Sequence, residues 1–108
     1  MLIVREPYTS LILKGEKTHE LRHQRIRENR YLACSTTHLV KAFVHFGESR
    51  LLDEDEYSAT FHEHRCLDAK KRYRNTWSTQ ILRVIPLAED IPYKAKRGSV
   101  GYARYCGP

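Results

Sequence analysis

Within Gly15-Glu16-Lys17-Thr18-His19-Glu20-Leu21-Arg22, an ammonium, a carboxylate and a guanidinium are carried on one short segment. Extended backbone sends alternate side chains to opposite faces, so Glu20 and Arg22 share one face with Thr18 while Leu21 anchors the other. Lys17 stands at a turn, where strict alternation need not hold and its ammonium can bend toward Glu20. Gathered at the lip of a barrel and open to solvent, the three groups would read the edge of a flipped nucleobase or handle protons. The competing reading is a structural ion-pair network that tethers a helix to a strand.

Cations elsewhere point to a polyanion. The chain has 19 Lys plus Arg against 13 Asp plus Glu, a net charge of +6, and the excess is local. Arg22, Arg25, Arg27 and Arg30 face only Glu28 in one stretch; Arg65, Lys70, Lys71, Arg72 and Arg74 oppose only Asp68; Lys94, Lys96, Arg97 and Arg104 have no acidic neighbour. Converging in space, such segments attract phosphates with strong salt dependence. Trp77 follows the second segment, and an aromatic flanked by cations suits base stacking. Tyr8, Thr18, Arg25, Arg27, Trp77, Tyr93, Lys94, Lys96 and Arg97 are therefore the expected nucleic-acid contacts, with Lys17, Glu20 and Arg22 as the expected catalytic candidates.

Other chemistries find little footing. His62-x-His64 with Glu63 and Cys66 offers metal-binding atoms, but on a helix positions 62 and 64 diverge, and no standard zinc spacing is matched. No metal and no cofactor is expected, since GxGxxG, P-loop, GxSxG and HExxH patterns are missing. Cys34, Cys66 and Cys106 form no CxxC pair and read as three reduced thiols, which with the lack of a signal peptide implies a cytoplasmic protein. No apolar run reaches the roughly 18 to 20 residues that span a bilayer, so no membrane partner is expected. At 108 residues the chain fits one domain spanning residues 1–108, expected to be monomeric, and excludes large multi-domain enzyme architectures.

The elements that must position these groups follow from local pattern. Leu2 to Val4 is a short strand, Pro7 to Lys14 a helix ended by Gly15, and Thr18 to Arg22 extended. Residues 23 to 29 are polar and aperiodic, a loop with arginines free to reach a ligand. Tyr31 to Cys34 and Leu39 to Phe46 are strands, the second with Val40, Ala42, Val44 and Phe46 alternating against Lys41, Phe43 and His45. Asp53 to His64 opens on carboxylates suited to a helix start. Trp77 to Pro86 is a strand, Pro86 and Pro92 bracket a turn, and Ser99 to Tyr105 forms a closing strand. The expected fold class is α+β: a small, partly open mixed β-barrel of five to six strands with two helices at its rim.

The octapeptide resembles the G-x-K-x-x-E-x-R signature of ASCH domains, relatives of the PUA RNA-binding fold. Glu6-Pro7-Tyr8 and Leu11-Ile12-Leu13 before it are similar to that family's amino-terminal strand and helix. Asn75-Thr76-Trp77, Ile81 to Leu87, and Ile91-Pro92-Tyr93-Lys94 with Gly98 resemble its carboxy-terminal strands. The resemblance implies a PUA-like barrel that recognises RNA or a modified nucleotide in a cleft between helix and barrel. Some bacterial members are amidohydrolases that deacetylate N4-acetylcytidine with a lysine, a threonine and a glutamate. By the motif the lysine falls on Lys17 and the threonine position holds Glu20, which cannot follow the same covalent route; Glu63 lies where the family's glutamate is expected. Ribonuclease activity is associated with the family too. The leading expectation is thus an RNA or nucleotide binder, and the alternative a small hydrolase, amidohydrolase or ribonuclease, using Lys17 and Glu20. A third reading is a protein-interaction domain whose acidic helix meets a basic partner.

Overall fold

The computed structural model describes residues 1–68, 70–71 and 73–94. The chain runs β1 (Leu2–Val4), α1 (Tyr8–Leu13), β2 (His19–Arg22), β3 (Arg30–Cys34), β4 (Leu39–Leu52), α2 (Glu54–Ala59), α3 (Phe61–His64) and β5 (Thr76–Pro92). Five strands form one mixed sheet in the order β1-β3-β4-β5-β2, with β1 parallel to β3 and every other pair antiparallel. The sheet is curled and not closed: β1 and β2 are its two edges. This is the expected α+β class, a five-stranded mixed sheet left open, with three short helices where two were expected.

Two cores sit on the two faces of the sheet. Leu2, Val4, Tyr8, Ile12, Ile26, Leu32, Ala42 and Val44 fill the concave side under α1. Leu21, Leu52, Tyr57 and Cys66 form a second cluster on the opposite side of β2, against α2. Leu21 anchors one face of β2 while Glu20 and Arg22 take the other, as strand alternation requires.

Several elements depart from their sequence-based bounds for identifiable reasons. The helix expected over 53–64 breaks at Thr60, whose φ of −106° and ψ of 22° leave the helical region. Asp53 and Glu56 close a reciprocal capping box at the start of α2. Pro86 and Pro92 lie inside β5 rather than bracketing a turn. Pro86 faces Ala42 beside a register shift in β4, and β2 pairs only with residues 77–80, so the missing N–H falls on an unpaired edge. Gly15, with φ +78°, follows the end of α1 as expected.

Cys34 is a buried free thiol and Cys66 is buried in the second cluster, while Cys106 lies outside the described residues. Among the described residues no helix is long and apolar enough to cross a membrane. The strand expected at Ser99 to Tyr105, together with Lys96 and Arg97, lies outside the described residues.

Candidate nucleic-acid interface

The structure brings Lys17, Glu20 and Arg22 together but seals them. Lys17 is 1%, Glu20 0% and Arg22 6% exposed, which corrects the expectation of a solvent-open triad. Glu20 is the hub. Its Oε2 accepts from both Arg22 Nε at 2.9 Å and Nη2 at 2.6 Å, and its Oε1 lies 3.4 Å from Lys17 Nζ. That Oε1 accepts no hydrogen bond of good geometry. Lys17 Nζ also donates to the carbonyl of His64 at the end of α3 and lies 5.6 Å from the Tyr8 ring centre. Burial pulls the Lys17 ammonium below its ordinary pKa, while Glu20 pulls back in the opposite direction.

Arg22 does one thing more. Its Nη2 donates to the Ile3 carbonyl at 3.1 Å, so a side chain on edge strand β2 reaches edge strand β1. The network therefore ties α3, β2 and β1 together, as the competing structural reading holds. Arg22 borders a hollow of about 270 Å³ with Ile3, Gln24, Arg25 and Arg30, and Lys17 borders one of about 280 Å³ with Thr18 and Ile81.

The residues expected to line one cleft are split among several places. Tyr8 is in the core. Thr18 is exposed beside His19, with its hydroxyl 2.9 Å from Nδ1, and borders a hollow of about 280 Å³ between α1 and β5. Tyr93, just beyond β5, packs 5.7 Å from His38 with exposed Lys94 following it. Trp77 is at the other end of that 17-residue strand, so these two aromatics do not share a cleft. Glu63 lines yet another hollow with His19, Arg50, Ser78 and Gln80.

What the structure does assemble is a basic aromatic hollow of about 600 Å³, lined by Gln24, Arg25, Arg27, Glu28, Arg30 and Trp77. The guanidinium of Arg25 lies over the indole of Trp77, 4.9 Å from its centre. The loop carrying the arginines is anchored at two points. Ile26 buries its side chain in the concave core and donates its N–H to the Thr79 hydroxyl at 3.3 Å; Asn29 accepts from the Phe46 N–H at 3.0 Å. Arg25 and Arg27 consequently flank a buried residue on a pinned loop, and Arg30 begins β3 beside them. A planar stacking surface with three guanidiniums, countered only by Glu28 at 3.9 Å from Arg30, suits a base and its phosphates.

Sequence reasoning named Arg25, Arg27 and Trp77 but not Arg30 as a contact, nor Ile26 as the anchor. Ile26 was legible as the lone aliphatic residue in a polar stretch. Pairing of Arg22 with Trp77 across β2 and β5 is what sets that loop beside the indole, and no local pattern encodes it.

A family model described as ASCH domain matches residues 2–92. No curated protein matches the chain.

Proposed function

From the premise that this chain belongs to the ASCH domain family, a PUA-like family generally of RNA-binding proteins, we propose that it binds single-stranded RNA or a nucleotide in the Arg25–Trp77 hollow. One observation carries the reading: Arg25, Arg27 and Arg30 converge on Trp77 around a space of about 600 Å³. A base stacks on the indole, and its flanking phosphates meet the guanidiniums. Tyr8, Tyr93 and Lys94 have no part in that contact, and Lys17, Glu20 and Arg22 support it from below by fixing β2 opposite Trp77.

The hydrolase reading has less behind it. Lys17 Nζ is engaged by the His64 carbonyl and Glu20, although burial lowers its pKa in the direction a general base requires. We read the chain as a single domain acting as a monomer.

The test is a titration with short RNAs at several salt concentrations, following Trp77 fluorescence. Binding should quench the indole, and log K should fall with log salt at a slope of about −2 for three phosphate contacts on a single strand. Arg25→Ala and Arg27→Ala should each reduce that slope by roughly 0.7. A salt-independent signal, or affinity unchanged in the double variant, would sink the assignment.

A further inference from the structure

The Trp77 hollow shares a wall with a second one. The neighbour measures about 270 Å³, and Gln24, Arg25 and Arg30 border both. Both belong to the concave side of the sheet. Arg30 pairs with the core residue Val44 and alternates with buried Leu32, so its side chain leaves β3 on that side. Trp77 stands directly opposite Arg22, and residues paired in this way share a face, so the indole is on the side that Glu20 and Arg22 occupy.

The second hollow has its own chemistry. Met1, Leu2, Ile3 and Ile26 supply apolar surface beside the guanidiniums, and among the described residues no carboxylate lines it. Glu28 borders the Trp77 hollow instead and lies 3.9 Å from Arg30, too far for a hydrogen bond. Arg22 borders the second hollow too, but its Nε and Nη2 serve Glu20 and the Ile3 carbonyl, so the anion-binding task falls to Arg25 and Arg30. Arg25 lies over the indole by its face, and a stacked guanidinium keeps its in-plane N–H groups for an anion at its edge. An isolated anion would need the arginines alone. A phosphodiester carries a nucleoside on each side, which matches two cationic groups on the wall between two hollows.

We propose that Arg25 and Arg30 hold the phosphodiester between two nucleotides of a single-stranded RNA, with one base stacked on Trp77 and the next nucleoside seated in the hollow beside β1. The inference rests on the RNA-binding reading and deepens it: the unit recognised is a dinucleotide. Near the lower end of small-ligand sites, which start at roughly 300 Å³, the second hollow takes one nucleoside and no more. Arg27, which borders the Trp77 hollow but not the second, meets the phosphate on the far side of the stacked base.

The experiment titrates the isotope-labelled whole chain with uridine 3′-phosphate, uridine 5′-phosphate and the dinucleotide UpU, following NMR signals. All three should move the Trp77 indole signal. UpU alone should also move the Ile3 amide, and it should bind about tenfold more tightly than either monophosphate, although its phosphate carries less charge. Arg30→Ala, shown to be folded by a thermal melt, should weaken UpU about tenfold. If that variant does not fold, the ligand comparison on the parent chain decides the matter by itself. UpU that binds no more tightly than the monophosphates, or leaves Ile3 unmoved, would overturn the second seat, as would a folded Arg30→Ala with UpU affinity intact. An indole signal that none of the three ligands moves would instead bring down the RNA-binding reading itself.

Discussion

Glu20 holds two cations in a place from which water is excluded, and that fixes how the site tolerates change. Removing the carboxylate leaves Lys17 and Arg22 buried with like charge, which typically destabilises by about 3–5 kcal/mol. Glu20→Ala is therefore expected to unfold at much lower denaturant than the parent. Replacing all three residues together by apolar ones of similar size should recover most of that loss, because a buried ion network is often no more stable than the hydrophobic packing that replaces it. RNA affinity that survives in the triple variant supports a scaffolding role for the network. Affinity lost from a folded triple variant would place its charges in the ligand contact instead. The signature residues were legible in the sequence as a cluster; their burial was not. Lys17 is drawn inward by the His64 carbonyl, a partner 47 residues away that no local pattern announces.

At the level of elements, α3 is clipped to α2 by one imidazole. His64 Nδ1 accepts from the Cys66 N–H at 2.9 Å, so the ring is neutral with its proton on Nε2, which donates to the Tyr57 carbonyl at 2.8 Å. Burial lowers the His64 pKa, with a smaller push from Lys17 in the same direction. The folded chain then takes up that proton less readily than the unfolded one. Stability should be full above the ordinary histidine value of about 6.5 and decline as pH falls from there through the depressed folded value, levelling off below it. His19, also lowered by burial, adds a loss of the same sign. Urea midpoints between about pH 7.5 and 5 give the trend, and an NMR titration placing His64 at or above an unstructured histidine would contradict it. Short-range signals served well for these elements: α1, β3 and β4 begin within a residue or so of where pattern put them. Pattern failed where long-range pairing overrides it, as at Pro86, which β4 carries inside a strand across its irregular register.

Viewed whole, the molecule gathers three arginines around Trp77 on one pinned loop, although its basic residues are spread over three stretches of chain. The first stretch meets Trp77. Among the described residues of the second, Tyr73 lies 5.8 Å from His23, and Lys71 Nζ holds the Tyr73 and Arg74 carbonyls. Counting charges along the sequence could not tell a ligand contact from a lysine that braces its own loop.

The bond from Arg22 to Ile3 has a final consequence. Where a closed barrel would have a ladder of amides, β1 and β2 are joined by a guanidinium, so the seam is the place where the cylinder can unzip without breaking any backbone pairing between its edges. In hydrogen–deuterium exchange, the amides of β1 should gain label well before those of central β4, and Arg22→Lys, which lacks the planar fork, should widen that gap. Equal protection of the two strands would mean that the rim is fastened by something other than this arginine.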